Sequence, residues 1–204
     1  MAGARIAVLD YGIGNLRSAQ KALLKVGADA RLTSNQAEID AADGIVLPGV
    51  GAFGACMAAL SDSGLDDAAI GAAQSGRPFL GICVGMQLLY ECSEESPGVE
   101  GLGVLAGAVR RLPDEVKHPQ MQWNMLTLLQ SEHPLMAGLD QSWLYFVHSL
   151  SVVPAEPSQV LATTDYGASL VAATSQNNVM ATQFHPEKSA TAGLRLLSNF
   201  VGML

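Results

Sequence analysis

A cysteine between two glycines is the residue of this sequence best suited to covalent chemistry. Residues 81–85 read GICVG, after an apolar run at residues 78–82 and before a helix-like run at residues 84–92. A nucleophile at such a strand-to-helix turn is exposed and has a strained backbone, and only small neighbours fit around it. The helix N-terminus would favour the thiolate of Cys83, and the N–H of Val84 could bind an oxyanion. The pattern predicts nucleophilic acyl chemistry.

The other two cysteines, Cys56 and Cys92, lack flanking glycines at a predicted turn. We expect both to be buried structural cysteines, which is the commoner role of a lone cysteine and the alternative for Cys83. The three cysteines form neither a paired framework nor a CxxC motif, which indicates a reducing compartment and a cytoplasmic location.

The best candidate for the base is His185, in the segment FHPEK. Residues two apart in an extended chain share a face, and Pro186 would stiffen the pair. Glu187 could then accept a hydrogen bond from one imidazole nitrogen and leave the other facing the thiol. The alternative is a proline turn carrying two exposed polar residues.

The remaining histidines suggest no second site. His118 and His133 lie in polar stretches and are expected at the surface, whereas His148 lies in a strand-like run and is expected to be packed or bonded to backbone. No other histidine or cysteine stands at ligand spacing from His185, so no metal is expected.

The order of elements predicts how these residues are positioned. Strand-like runs at residues 5–10, 28–33, 44–48 and 78–82 alternate with helix-like runs at residues 16–26, 53–60, 65–74 and 84–92. This alternation predicts a parallel sheet covered on both faces. Short runs at residues 104–112, 143–150, 160–166, 169–174 and 178–184 predict added antiparallel strands, and residues 190–204 a closing helix.

Composition limits the classes of function. The chain has 204 residues, which predicts one domain over residues 1–204, and 49% hydrophobic residues exclude disorder. A net charge of −8 argues against a nucleic-acid binder and a basic membrane anchor. Residues 44–61 lack charge, but Pro48 and several glycines favour a strand and loop over a membrane span.

Two motifs establish a resemblance. GICVGMQLL and TQFHPEKS resemble the class I, triad-type glutamine amidotransferases. DYGIGNLRS, LPGVGAFG, FVHS and ATTDYG narrow this resemblance to the glutaminase subunits of imidazole glycerol phosphate synthase, along the full length. The family implies a flavodoxin-like, three-layer α/β fold with a mostly parallel central sheet.

The resemblance implies a reaction and its groups. Cys83 would attack the side-chain amide of L-glutamine, His185 would protonate departing ammonia, and water would hydrolyse the thioester, without a cofactor. Val84 would supply one oxyanion donor, and either Val50 or Gly51 the second. We hypothesise that the glycine-rich loop PGVG, residues 48–51, is an activity switch, since a peptide unit there can flip its orientation easily. The residues that would hold glutamine are Gly49, Gly51, Gln87, Ser149 and Leu150.

The sequence shows no phosphate or sugar site for an ammonia acceptor. The resemblance implies that ammonia passes to a partner, a (β/α)₈-barrel cyclase subunit in a heterodimer that makes imidazole glycerol phosphate. The implied docking residues are Asn15, Arg17, Met121, Trp123, Tyr145 and Lys188. The alternative for Trp123 is a place in the core.

The chain departs from the family pattern near this surface. PQMQWN stands where the family commonly has PHMGWN, which places Gln120 and Gln122 there, and Ala181 replaces a glycine. These changes leave the expected triad of Cys83, His185 and Glu187 intact, but they affect the expected interface.

Two other functions stay open. One is a glutaminase subunit of another synthase, such as the anthranilate type. The other is a non-catalytic flavodoxin-like protein with a reactive elbow cysteine, which would need neither His185 nor Glu187.

Overall fold

The computed structural model describes residues 3–204. The strands are β1 (Arg5–Leu9), β2 (Asp29–Thr33), β3 (Gly44–Gly49), β4 (Phe79–Cys83), β5 (Cys92–Ser93), β6 (Gly107–Arg111), β7 (Gln120–Met125), β8 (Thr127–Leu128), β9 (Trp143–His148), β10 (Leu150–Pro154), β11 (Val160–Asp165), β12 (Ser169–Gln176) and β13 (Val179–Thr182). The helices are α1 (Leu16–Lys25), α2 (Gln36–Asp40), α3 (Phe53–Asp62), α4 (Leu65–Gln74), α5 (Val84–Leu88) and α6 (Ala190–Val201).

An eight-stranded sheet in the order β2-β1-β3-β4-β13-β12-β11-β8 forms the centre of the molecule. Its first five strands are parallel, and the strands toward β8 are antiparallel. Every residue of β3 and β4 is buried, as a parallel strand covered on both faces requires.

Helices cover this sheet in two groups. α1 contacts α6, whereas α4 contacts α2 and α3, and α3 contacts α5. Right-handed crossovers account for the division, because the chain reverses its direction across the sheet after β2. The flavodoxin-like, three-layer architecture expected from the sequence is confirmed.

The second half of the chain adds strands in three places. Besides β12, β11 and β8, it forms a small sheet in the order β10-β6-β5 and a two-stranded ribbon of β7 and β9. The expectation of antiparallel strands is wrong for β13, which runs parallel to β4 with Ala181 opposite Gly81. Because the carboxyl ends of neighbouring parallel strands meet at one edge, this pairing brings the segment after Thr182 next to Cys83.

Several predicted boundaries change. The run at residues 143–150 is two strands, β9 and β10, which separate at Ser149 and pair with different partners. α5 ends at Leu88 and does not reach Cys92, because the carbonyls of Leu88 and Leu89 accept the N–H groups of Leu102 and Leu105. The short α2, β7 and β8 were not predicted, and α6 ends at Val201.

The uncharged stretch at residues 44–61 forms β3, a glycine-rich loop and most of α3. No helix within residues 3–204 combines the length and apolar character needed to cross a membrane.

Candidate active site

Cys83 occupies a strained turn at the end of β4. Its backbone angles are φ 55° and ψ −112°, a conformation that few side-chain-bearing residues adopt. A Cβ on Gly85 would overlap the carbonyl oxygen of Leu47, and one on Gly81 would lie 2.9 Å from the carbonyl oxygen of Gly85. The predicted crowding around the elbow is confirmed.

The cysteine opens into a cavity and not onto the outer surface. The residue is only 3% exposed, contrary to the expectation of an exposed nucleophile, and it lines this cavity together with Val50, Gly51 and His185. The cavity has a volume of about 490 Å³ and is large enough for one amino acid. Its lining includes ten of the residues singled out from the sequence: Asn15, Val50, Gly51, Cys83, Val84, Gln87, Ser149, Leu150, His185 and Lys188.

The other predicted site residues lie outside the lining. Gly49 is packed behind it, where a Cβ would lie 2.7 Å from the N atom of Gly85. Glu187 lies behind His185, with its side chain 3% exposed. The remaining four belong to the predicted docking surface: Arg17, Met121, Trp123 and Tyr145.

His185 and Glu187 form a close pair. His185 Nδ1 and Glu187 Oε1 are 2.8 Å apart, and both side chains are almost fully buried. The expected extended geometry is wrong, because Pro186–Lys188 forms a 3₁₀ turn with His185 at its N-cap. This turn folds the carboxylate back onto the imidazole ring. The alternative of two exposed polar residues is therefore wrong as well.

Electrostatics favour the protonated form of this imidazole. Burial alone would lower the pKa of His185, but its interactions with the Cys83 sulfur and the Glu187 carboxylate outweigh burial and raise the pKa to about 9. Within residues 3–204, no hydrogen bond holds Nε2, the nitrogen opposite Glu187. The Cys83 sulfur lies 3.8 Å from Gln183 Nε2 and 3.9 Å from the Val147 carbonyl oxygen. An imidazolium beside a sulfur nucleophile suits acyl transfer with proton return.

The backbone around Cys83 offers free N–H groups. Val84 begins α5, so its N–H has no acceptor within the helix. Val50 and Gly51 line the cavity, and neither N–H is bonded to an acceptor in residues 3–204. Gly51 has φ 100°, which a side-chain-bearing residue rarely adopts. Three residues of the cavity lining therefore carry a backbone N–H that is not bonded within residues 3–204.

Sequence reasoning missed several residues of the site. Glu95 lines the cavity and accepts a hydrogen bond from the Phe53 N–H at the start of α3, at 2.6 Å. Gln183 bonds to Gln87 and approaches Cys83. Gln183 lies in the quoted motif TQFHPEKS and could have been found there, but no local pattern marks Glu95. The other cavity residues not predicted are Gly14, Pro119, Val147 and His148.

The three other histidines differ in environment. His148 is buried, with Nδ1 2.7 Å from the Leu150 carbonyl oxygen, as expected for a packed, backbone-bonded histidine. Burial lowers the pKa of His148 to about 4, so this ring is neutral at pH 7. His118 is exposed as predicted, whereas His133 is partly buried, and its side chain accepts from the Leu135 N–H.

The expectation for the remaining cysteines is half right. Cys56 is fully buried in α3. Cys92 is exposed, because it lies in the short strand β5 and its neighbour Ser93 takes the inward position.

An apolar ribbon of β7 and β9 lies beside the cavity. Met121, Trp123 and Met125 alternate along β7, opposite Val147, Tyr145 and Trp143 of β9. Trp123 is 44% exposed, so its alternative place in the core is wrong. The exposed residues of this docking ribbon are Met121, Trp123, Met125 and Trp143. Exposed apolar patches mark sites of interaction with proteins, membranes or ligands.

The fold and this site define a class of protein. Residues 7–203 match the family model described as "Glutamine amidotransferase class-I", and the chain belongs to this family of enzymes. A solved structure titled "Crystal structure of glutamine amidotransferase" superposes with a TM-score of 0.77 at 22% identity and 97% coverage of both chains, which supports the fold.

Curated relatives show to which branch of this family the chain belongs. A protein of Methanothermobacter thermautotrophicus is 50% identical over 201 residues, with 98% of each chain covered. One of Thermosynechococcus vestitus is 50% identical, with 100% of this chain and 99% of the relative covered. Both are named "Imidazole glycerol phosphate synthase subunit HisH", and this chain groups with them. The resemblance stated from the motifs is confirmed, and the enzyme is a glutamine amidotransferase that works as a subunit of a complex.

Proposed function

We propose that this chain is the glutaminase subunit of imidazole glycerol phosphate synthase in histidine biosynthesis. Cys83, His185 and Glu187 are its catalytic residues, within one amidotransferase domain over residues 1–204, and the cytoplasm is its compartment. The observation that carries the proposal is the buried pair of His185 and Glu187 beside a strained cysteine in a cavity of amino-acid size.

The first half-reaction releases ammonia. The Cys83 sulfur attacks the side-chain carbonyl carbon of L-glutamine, and the carbonyl oxygen becomes an oxyanion. The N–H of Val84 and that of Val50 or Gly51 stabilise this charge, in a site largely shielded from water. His185 donates its proton to the leaving nitrogen, the C–N bond breaks, and a thioester and ammonia result.

The second half-reaction restores the enzyme. Neutral His185 takes a proton from water, which attacks the thioester carbon and forms a second oxyanion in the same place. The C–S bond breaks, and glutamate leaves. Glu187 holds the imidazole in one tautomer throughout and stabilises its charged form.

Several groups of the cavity suit the amino-acid part of glutamine. Glu95 is the carboxylate of the cavity lining, and its charge complements an α-ammonium group. Gln87 and the backbone at Gly51, Ser149 and Leu150 supply polar contacts. Gly49 acts through the backbone by letting the loop approach α5 closely.

The docking ribbon suits the cyclase barrel as a partner. Ammonia in neutral water is mostly protonated and loses its nucleophilicity, so delivery needs a sealed path between two active sites. Asn15 and Lys188 line the cavity, and the Lys188 Nζ lies 6.0 Å from the Tyr145 ring centroid, so docking residues adjoin the reaction site. The loop switch belongs to the same proposal, and glutamine hydrolysis by the complex should exceed that by the isolated chain.

The pH profile of glutamine hydrolysis tests the base and its orienter. Because the pKa of His185 is raised to about 9, kcat/KM should hold through neutral pH and fall as pH rises through about 9. In Glu187→Gln, the imidazolium loses an opposite charge, so this fall should move to lower pH and kcat should drop by about 10²-fold. Steady-state glutamate release between pH 6 and 10 measures both. An unmoved alkaline limb in Glu187→Gln would contradict the assignment.

Partner binding tests the docking ribbon. Trp123→Ala removes an exposed aromatic side chain beside Tyr145 and should raise the Kd for the cyclase barrel by about 30-fold or more. Leu24→Ala, which also removes an exposed apolar side chain but on α1, should leave this Kd unchanged. Titration calorimetry with the purified barrel distinguishes the two, and equal affinity in both variants would refute this surface.

A further inference from the structure

The hydroxyl of Ser189 bridges strand β9 and the turn that carries His185. The two residues flank the 3₁₀ turn Pro186–Lys188, with His185 at its N-cap and Ser189 at its C-cap. Ser189 Oγ donates to the His185 carbonyl oxygen at 2.7 Å and accepts the Tyr145 N–H at 2.9 Å. The residue is only 1% exposed and does not line the cavity. Its hydroxyl therefore acts on the protein and not on a substrate.

The helix that follows does not explain this orientation of the hydroxyl. Ser189 is also the N-cap of α6, where a serine side chain usually accepts an N–H of the first helical turn. The Ser189 side chain makes no such bond. The next residue, Ala190, has φ 48°, in the left-handed region that alanine rarely adopts. α6 thus begins with a strained residue and gains no side-chain cap from the serine beside it.

Backbone atoms join the same two segments a second time. The His185 N–H donates to the Tyr145 carbonyl oxygen at 3.0 Å. Tyr145 and His185 are therefore connected by one direct hydrogen bond and by one path through the Ser189 hydroxyl. Two residues further along β9, the Val147 carbonyl oxygen lies 3.9 Å from the Cys83 sulfur. The strand thus contacts the backbone of the base at one point and the nucleophile at the other.

We propose that Ser189 is a positioning residue whose hydroxyl holds the His185 backbone against β9 and so sets the distance of the imidazole from the Cys83 sulfur. A hydroxyl suits this place because it can accept an N–H and donate to a C=O at the same time. The role rests on the proposed function, in which His185 moves protons. It differs from that of Glu187, which bonds the imidazole ring itself.

Three variants separate positioning from general stability. Ser189→Ala removes both hydrogen bonds of the hydroxyl, whereas Ser189→Cys places a thiol there, which is a weaker donor and acceptor. The control is Asn199→Ala, which also removes two side-chain hydrogen bonds, from Asn199 Nδ2 in α6 to the carbonyl oxygens of Leu135 and Ala137. Each variant is compared with the unchanged chain in complex with the cyclase barrel, by steady-state glutamate release between pH 6 and 10 and by thermal melting.

Ser189→Ala should lower kcat about 10- to 100-fold, because misplacing a catalytic group by about 1 Å can cost about 100-fold. KM should change less than about twofold, since Ser189 does not line the cavity. Ser189→Cys should give an intermediate kcat. Asn199→Ala should lower the melting temperature but leave kcat within about twofold of the unchanged chain.

The pH profile supplies a readout that a loss of stability alone would not move. Burial lowers the pKa of His185, but the Cys83 sulfur and the Glu187 carboxylate outweigh burial and raise the pKa to about 9, while the nearby His148 is neutral at pH 7. An imidazole that moves away from the sulfur loses part of this increase. The alkaline fall in kcat/KM should therefore move to lower pH in Ser189→Ala and stay at a pH of about 9 in Asn199→Ala.

A Ser189→Ala complex with kcat within about twofold of the unchanged chain, or with an unmoved alkaline limb, would overturn the positioning role. So would an Asn199→Ala complex that loses as much kcat as Ser189→Ala. If Ser189→Ala does not fold, Ser189→Cys decides, and an unchanged kcat and alkaline limb in that variant count against the role. A complex of the unchanged chain that releases no glutamate would instead refute the proposed function, so the two failures are distinguishable.

Discussion

Replacing Cys83 by alanine should abolish glutamine hydrolysis, with glutamate release reduced by at least about 10⁴-fold. Alanine removes the sulfur that forms the thioester, and no second cysteine stands among the residues that line the cavity. Residual turnover would come from the oxyanion donors and substrate binding alone. Because alanine is smaller than cysteine, the elbow should keep its shape, and the melting temperature should change little.

Cys92→Ala provides the matched control. Its thiol is exposed, lies in β5 and does not line the cavity, so activity should stay at the level of the unchanged chain. A glutamine-mimicking electrophile should modify Cys83 and spare Cys92, which peptide mass mapping can show. Hydrolysis at the normal rate by Cys83→Ala would reject the mechanism.

Gly85→Ala should destabilise the fold and remove activity together. The added methyl group would overlap the Leu47 carbonyl oxygen, which belongs to the buried strand β3 and cannot move without disturbing its pairing with β4. Overpacking at such a position costs about 1–3 kcal/mol or more in free energy of unfolding. If α5 shifts to remove the overlap with the Leu47 carbonyl oxygen, the Val84 N–H is displaced from the oxyanion as well. We therefore expect the free energy of unfolding to fall by an amount at the upper end of this range, and kcat to be at least about 10²-fold lower.

Gly71→Ala is the comparison for this substitution. Gly71 lies in α4, and no atom of the described residues, 3–204, lies within 4 Å of the position that its Cβ would take. Alanine there should raise the free energy of unfolding by about 0.5–1 kcal/mol, because glycine weakens a helix interior. Urea denaturation of both variants checks the contrast. A Gly85→Ala chain as stable as Gly71→Ala would show that the elbow is not close-packed.

The parts of the site that depend on local pattern could be predicted from the sequence. The glycines around Cys83 indicate crowding within a single five-residue turn. The alternating strands and helices of the first half of the chain indicate a parallel sheet. Both features are encoded by residues close together in the chain. The contact between His185 and Glu187 could also be predicted, since the two residues are only two positions apart.

Features that depend on distant contacts could not be predicted. α5 is short because carbonyls at its end bond to residues 102 and 105, and periodicity carries no information about that competition. Glu95 reaches the cavity because its carboxylate caps α3, 42 residues earlier in the chain. The expectation that residues 185–187 are extended failed because Pro186 starts a 3₁₀ turn, which suits proline as well as an extended chain does.

The strand β9 connects the docking ribbon to the reacting groups within a few ångströms. The Tyr145 carbonyl accepts from the His185 N–H at 3.0 Å, and the Val147 carbonyl approaches the Cys83 sulfur, while the side chain of Tyr145 packs against Trp123 on the outer face. A protein seated on those aromatic rings would therefore press on the same backbone that spaces the sulfur and the imidazole. Such an arrangement allows binding of a partner to change the distance between the Cys83 sulfur and the His185 imidazole directly, through β9 alone.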